Sequence, residues 1–213
     1  MKILTILERL KRTAWVQIFI IYTRFLLGGV FVFASIIKIK GLRFTSVSGE
    51  RMPINSVLHF FETLYQTGLY WKFLGWSQLI AGFLLMTQRY AKLGALMFLP
   101  IIVNIFFITL SIDFNYTIII TGMMLLANLM LVSWHWNEFR FLFNQQFVAE
   151  EDSAFMKSKI WEVIGMVLFL FTSTYRIIYD QYNVVLWFSI SVLIGFVGIL
   201  AGLRVKKASQ KLK

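Results

Sequence analysis

The stretch AWVQIFIIYTRFLLGGVFVFASII, residues 14–37, is long and apolar enough to cross a bilayer, and Arg24 is its one charged residue. A helix needs about 20 such residues to cross a hydrocarbon layer of roughly 30 Å. Further stretches of the same kind follow at 69–87, 91–110, 116–134, 160–179 and 184–203. The sequence therefore predicts an all-α integral membrane protein with six spans.

The composition supports this class. Of the 213 residues, 59% are hydrophobic and 15% are charged, with a mean hydropathy of +0.74. Soluble domains carry about 25% charged residues, so this chain is not one of them. The net charge of +11 is interpreted as a topology signal and an attraction to anionic lipids, not as nucleic-acid binding.

The orientation follows from the Lys and Arg residues near the span ends, because positively charged flanks stay in the cytoplasm. Basic residues of the N-terminus, the 89–92 turn, the 140–159 loop and the tail from 204 all fall on one side. We therefore expect both termini in the cytoplasm. The first loop argues against this orientation, because it carries Lys38, Lys40, Arg43, Arg51 and Lys72.

Four segments make up the predicted organisation. They are a cytoplasmic interfacial amphipathic helix at 1–13, a four-span core at 14–136, a cytoplasmic linker at 137–158, and a two-span hairpin with a basic tail at 159–213. The long first loop of the core has helical periodicity near 53–67, after Pro53, which predicts an extracytoplasmic amphipathic helix. Its polar stripe includes His59 and Glu62. The stripe either faces water or turns inward as the roof of a polar cavity.

An ionisable residue within a span costs several kcal/mol unless it finds a partner or a polar pocket. Arg24 is that residue here, and each of the next three spans offers one amide to it: Gln78, Asn104 and Asn128. This polar intramembrane set would suit an anionic or carbonyl-bearing ligand such as a quinone headgroup. It would equally tie four helices together by hydrogen bonds.

A second pattern lies in the last span, where small residues recur at intervals of four, three and four: Ser191, Gly195, Gly198 and Gly202. Such a face lets another helix approach closely. The neighbour is either a helix of the same chain or a second copy.

Several kinds of chemistry are excluded for this chain alone. It has no cysteine, which removes disulfide exchange, thiolate metal sites and iron–sulfur ligation. His59 and His135 fall on opposite sides of the predicted membrane, and no HExxH motif or phosphate-binding glycine loop occurs. We therefore expect no catalytic or metal site. No cofactor is required, and a quinone is the one that the polar set would suit.

The chain resembles the DoxX-like (DoxX/MauE) family of small bacterial membrane proteins over about residues 20–136. The matching stretches are RFLLGGVFVFASIIKIKG at 24–41, WSQLIAGFLLMTQRYAKLGALMFLPIIVNIFF at 76–107 and a fourth span ending at Trp136. The resemblance implies a four-helix bundle with an extracytoplasmic first loop, to which 159–213 adds two helices. It also implies that Arg24 opens the first helix and reaches the membrane surface.

The chain departs from the family pattern at two places. Gln78 stands where many members have Glu, and the turn Ser111–Asn115 lacks the cysteines of redox-associated relatives. Some members are similar to subunits of quinone-reducing or oxidative-stress complexes. The resemblance therefore predicts a non-catalytic or quinone-proximal subunit of a larger redox-associated membrane assembly, with lipids and a partner subunit or second copy as partners. A small transporter or lipid-handling protein, and a structural scaffold, remain alternatives.

Overall fold

The computed structural model describes residues 11, 13–112, 114–146, 153–181 and 183–211, and for 208–211 it describes the backbone only. Within these ranges the chain is helical and contains no strand. The long helices are α1 Ala14–Ile39, α2 Val57–Gln66, α3 Leu69–Met86, α4 Ala91–Ser111 and α5 Thr117–Trp134, followed by the short α6 Trp136–Phe139, then α7 Lys159–Ile178 and α8 Val184–Lys211. Residues 1–10 and 12 of the predicted amphipathic helix, and residues 147–152 of the predicted linker, lie outside the described residues.

Five of these helices are long and apolar enough to cross a membrane: α1, α4, α5, α7 and α8, the last over Val184–Lys207. This confirms the all-α membrane class. The predicted second span coincides with α3, which has 18 residues and is not among the five. Lys72, Ser77 and Gln78 lower its apolar character.

Helix α3 runs antiparallel to α1 and packs along it. Near one end, a Cβ built on Gly75 would abut the Lys38 Cβ at 2.9 Å, and farther along, a Cβ on Gly82 would meet the Gly28 carbonyl oxygen at 2.7 Å. The absence of side chains at Gly82 and Gly28 lets the two backbones approach this closely. We name the two ends of the bundle after residues of α1. The Arg24 end is where α1 begins, and the Lys38 end is where α1 finishes.

The remaining helices cover the two sides of α1. Helices α4 and α5 form a hairpin beside α3, and stacked rings of Phe31 and Phe98, with centroids 3.6 Å apart, join α1 to α4. Helix α7 packs against α1 and α8 packs against α7. Helix α1 is thus the central element, and α5 and α8 are the most exposed spans.

The connection between α1 and α3 folds over the Lys38 end. Gly41 takes a φ of +68° just after α1, and Gly68 takes +59° between α2 and α3, a conformation that glycine adopts readily. Ser56 caps α2 by accepting a hydrogen bond from the His59 backbone N–H at 3.3 Å. The predicted loop helix near 53–67 is present as Val57–Gln66, so its first turn begins after the Pro53 turn.

Candidate functional site

A cavity of about 700 Å³ lies beneath α2, between α1, α3, α4 and α5. Its lining is predominantly apolar and includes Phe31, Phe73, Ile101, Ile105 and Met124. Ligand sites commonly have volumes of about 300–1,000 Å³ with a few polar groups in an apolar wall. The cavity therefore has the size and character of a site for an apolar or amphipathic molecule.

The cavity is reachable from the outer surface of the bundle. Exposed residues of three helices line it, namely Tyr70 and Phe73 of α3, Asn104 of α4 and Ile120 of α5. Pro100 also lines it, and because proline has no N–H, the Leu96 carbonyl lacks its usual helical partner. An occupant could therefore enter sideways from the hydrocarbon layer.

Two members of the predicted polar set face this cavity. Gln78 is buried, with 6% of its surface exposed, and Asn104 is exposed at the lateral opening. The Gln78 side chain makes no hydrogen bond within the described chain, and its Oε1 is fully buried. Because amide oxygen and nitrogen can exchange places by a flip, either orientation leaves a polar atom without a partner. Such a group costs about 1–3 kcal/mol, so Gln78 marks a position for a ligand or water.

Lys38 is a polar lining residue that sequence reasoning placed in a solvated loop. It lies in α1 and is 7% exposed, and its Nζ donates to the Ala34 carbonyl oxygen at 2.7 Å. The ammonium lies 4.8 Å from the centroid of the Phe44 ring and 5.3 Å from that of Trp71. Rings at these distances attract a cation. The sequence signal that could have placed Lys38 in α1 was the helical periodicity, which continues through residue 38.

The roof of the cavity is the apolar face of α2, not its polar stripe. Val57, Phe60, Phe61 and Leu64 line the cavity, and Phe61 packs against Phe44 and Phe114 with centroids 5.0 and 5.5 Å away. His59 and Glu62 do not line the cavity. The alternative in which this stripe roofs a polar cavity is therefore wrong.

The polar stripe of α2 is covered instead by residues 43–50, which we name the strap. The single Nε–H of Arg43 is shared between the two oxygens of the Glu62 carboxylate, at 3.0 and 2.9 Å, and the Gly49 N–H donates to the same carboxylate at 3.1 Å. The hydrogen bond between Arg43 and Glu62 is the main cause of two opposite shifts: it lowers the pKa of Glu62 and raises the pKa of Arg43. His59 Nδ1 lies 3.3 Å from the Gly49 carbonyl oxygen. These contacts hold α2 down over the cavity.

Arg24 lies in a separate cluster at the opposite end. Its Nη1 donates to Gln88 Oε1 at 2.8 Å, and its Nη2 lies 2.7 Å from His135 Nε2. Gln88 belongs to the α3–α4 turn and His135 directly follows α5, so both helices end at the level of Arg24. The first ten residues of α1 extend beyond that level. Arg24 therefore does not join Gln78, Asn104 and Asn128, although it lies ten residues into its helix.

His135 is neutral in this cluster. Burial, followed by the positive charges of Arg24, Lys92 and Lys11, lowers the pKa of His135 to about 2. A neutral ring that accepts from Arg24 at Nε2 carries its proton on Nδ1, which lies 3.6 Å from Glu138 Oε1. Glu138 in turn pairs with Lys92 at 2.5 Å. The cluster thus joins α1, the α3–α4 turn and α6 by polar contacts.

The remaining predicted residues have packing roles. Asn128 is fully buried and its Nδ2 donates to the Ala95 carbonyl oxygen at 3.1 Å, which ties α5 to α4 away from the cavity. A Cβ built on Gly198 would lie 2.9 Å from the Tyr22 hydroxyl, and one on Gly202 would meet the Trp161 ring. The small-residue face of α8 therefore packs within the chain. A second, almost wholly apolar groove of about 420 Å³, lined in part by Gly195 and Ser191, lies between α1, α7 and α8.

No protein-family model, curated protein or solved structure matches this chain. The DoxX-like resemblance therefore stays a prediction. Within the described ranges, no group of three or more His, Cys, Asp or Glu residues is arranged to hold a metal ion. The functional argument depends on the cavity beneath α2 and the residues that line it.

Proposed function

We propose that this protein binds an amphipathic membrane molecule in the cavity beneath α2 and serves as a non-catalytic, quinone-proximal subunit of a larger redox-associated assembly. One observation carries the proposal: Lys38 and the unpartnered amide of Gln78 face an apolar cavity of about 700 Å³ between α1, α3, α4 and α5. A quinone fits this donor set, because its carbonyl oxygens accept hydrogen bonds and its tail is apolar. It would supply two-electron redox chemistry, and Lys38 and Gln78 would hold its head.

The proposal includes six spans with both termini in the cytoplasm. Helix α3 is about 27 Å long at roughly 1.5 Å per residue, close to the thickness of the hydrocarbon layer. It also lies alongside the spanning helix α1, with Gly75 near Lys38 and Gly82 near Gly28. These features support a sixth crossing. The Arg24 end then faces the cytoplasm, and the cavity opens in the outer half of a bacterial inner membrane.

The test is photolabelling with an azido-quinone in liposomes, followed by mass-spectrometric mapping of the labelled peptides. We expect the label in α3 and α4, and we expect Ala34→Phe to remove most of it, because Ala34 lines the cavity. The matched control is Gly29→Leu, which adds bulk to the same helix but faces the other groove. Label spread evenly over the lipid-facing helices, or unchanged by Ala34→Phe, would refute quinone binding at this site.

The assembly is tested separately. The protein is extracted gently from its own membrane and its mass is measured under native conditions, together with a redox difference spectrum. Co-purification of an oxidoreductase or haem subunit supports the redox assembly.

Arg24→Leu should leave quinone labelling intact, because Arg24 lies outside the cavity.

A second candidate function is the handling or transport of a lipid. The lateral opening beside Tyr70, Phe73 and Asn104 favours it, because a transported lipid must leave and re-enter the hydrocarbon layer. Flux of a labelled lipid across proteoliposomes, faster than in empty vesicles, would support this function. A structural scaffold that uses the small-residue face of α8 is not favoured, because Tyr22 and Trp161 already occupy that face.

A further inference from the structure

The cations near the cavity differ in how their charge is compensated. Lys40 pairs with Asp180 at 2.5 Å, and Arg43 pairs with Glu62 at 2.9 Å. Lys38 is more buried than either, yet it makes no ion pair with any described residue. The Ala34 carbonyl takes one of its three N–H groups, which leaves two without a described acceptor. The cavity therefore contains a buried lysine amine that has no carboxylate counter-ion among the described residues.

The unpartnered amide of Gln78 lies at the same depth as this ammonium. Gly75 abuts Lys38 and Gly82 abuts Gly28, so the antiparallel register places Gln78 opposite the region of Ala34. The Lys38 side chain folds back along α1 until its Nζ reaches the Ala34 carbonyl oxygen. A charged donor and an amide thus lie at one level of the cavity, and apolar side chains such as Ile105 and Met124 line the rest.

Three other polar side chains of this wall already have hydrogen-bond partners, and Asn104 lies at the exposed lateral opening. The Thr109 and Thr121 hydroxyls are 2.8 Å apart, so one donates to the other, and the second donates to a carbonyl of its own helix. Ser77 donates to the Phe73 carbonyl oxygen at 2.8 Å. The demand for a ligand therefore comes from Lys38, whose ammonium N–H groups need acceptor oxygens, and from Gln78, whose Nε2 can donate to a ligand and whose buried Oε1 can accept from one.

We propose that Lys38 and Gln78 form a headgroup site for a single-chain lipid with an anionic head, a carboxylate or a phosphate monoester, whose chain lies in the apolar part of the cavity. The inference rests on the proposed function in one respect, namely that the cavity binds a membrane amphipath. The anionic oxygen accepts from the Lys38 ammonium, and the Gln78 amide donates to the head. Neutralising the buried ammonium distinguishes this occupant from a quinone, whose carbonyls carry no charge.

The experiment is photolabelling in phosphatidylcholine nanodiscs with a palmitic acid analogue that carries a diazirine. Palmitate, hexadecyl phosphate, hexadecanol and decyl-ubiquinone are compared as competitors. A hydrogen bond to a charged group is worth enough for about a tenfold change in affinity. We therefore expect both anionic competitors to be about tenfold more effective than hexadecanol. The two anionic competitors distinguish a carboxylate head from a phosphate head.

Three variants locate the charge. Lys38→Met should abolish the preference for anionic competitors while it keeps the side chain's contacts with Phe44 and Trp71. Lys38→Arg should retain the preference. Lys72→Met should retain it too, because Lys72 is an exposed cation on α3 that does not line the cavity. If Lys38→Met does not fold, the competition series on the wild-type protein and Lys38→Arg decides the outcome.

The outcomes separate this inference from the proposed function. Equal competition by palmitate and hexadecanol, or an anionic preference that survives Lys38→Met, overturns the headgroup site. If decyl-ubiquinone then displaces the probe equally well from wild type and Lys38→Met, the proposal of a quinone site stands and only the anionic headgroup site is lost. A probe that no competitor displaces refutes both.

Discussion

The pH dependence of stability tests the Arg24 end of the bundle. His135 is 3% exposed, and burial together with the neighbouring cations lowers its pKa to about 2 in the folded protein. In the unfolded chain a histidine titrates near pH 6.5. Below that pH the unfolded chain binds a proton that the folded protein does not, so the free energy of unfolding falls as the pH falls.

The magnitude follows from the two pKa values. At about pH 7.5 the histidine is neutral in both states and contributes almost nothing. At about pH 5, which is still above the folded pKa, protonation of the unfolded chain lowers the free energy of unfolding by about 2 kcal/mol. Carboxylates with ordinary pKa values titrate mostly below about pH 5, so His135 should dominate the change in the free energy of unfolding between about pH 7.5 and pH 5.

The assay compares wild type with His135→Gln in detergent by denaturant unfolding, followed through tryptophan fluorescence at several pH values. Glutamine can still accept from Arg24 but cannot titrate, so the variant should lose the pH-dependent part of the change. His59→Gln, which replaces the chain's other histidine, is the matched control and should behave as wild type. Equal slopes for wild type and His135→Gln would refute the assignment of a buried, neutral His135.

Two further predictions concern α3 and the strap. Because the chain has no cysteine, single cysteines at Thr67 and Arg89, exposed residues beyond either end of α3, can be probed alone. A membrane-impermeant maleimide should reach them from opposite sides, and labelling of both from one side would contradict a sixth span. Glu62→Gln should speed cleavage of the 43–50 strap by externally added trypsin, because the Glu62 carboxylate anchors the strap. Glu50→Gln should be cleaved at the wild-type rate, since the exposed Glu50 carboxylate makes only longer contacts, 3.7 Å to Arg43 and 3.4 Å to Gln66. Cleavage of both variants at one rate would argue against the anchor.

Six helices, α1, α3, α4, α5, α7 and α8, were predictable because each one coincides with a long apolar run. Predicted and observed ends agree closely for 69–87, 91–110 and 116–134, since turn residues follow each run at once. The first helix continues to Ile39, and the last continues to Lys211 rather than 203. Their extra residues are partly basic, and a hydropathy pattern ends where charge begins even though the helix does not.

The contacts of the polar residues were less predictable, because they depend on how far one helix is displaced along another. Arg24 was assigned to mid-membrane amides from its distance into α1, but that count cannot show that the α3–α4 turn lies at its level. The contact between Arg24 and His135 could not be predicted for the same reason. For α2 the sequence shows two faces, and only the path of the strap shows that Glu62 contacts Arg43 while Phe61 covers the cavity.

The most direct test of the central claim is native mass spectrometry of wild type and Ala34→Phe, each extracted gently from the same membrane. The cavity beneath α2 predicts one bound single-chain amphipath per wild-type chain, identified by its mass as an acidic lipid or a quinone, and its loss in Ala34→Phe. Gly29→Leu should retain it. A wild-type protein without such an adduct, or an equal adduct on Ala34→Phe, would contradict the claim that this cavity is a binding site.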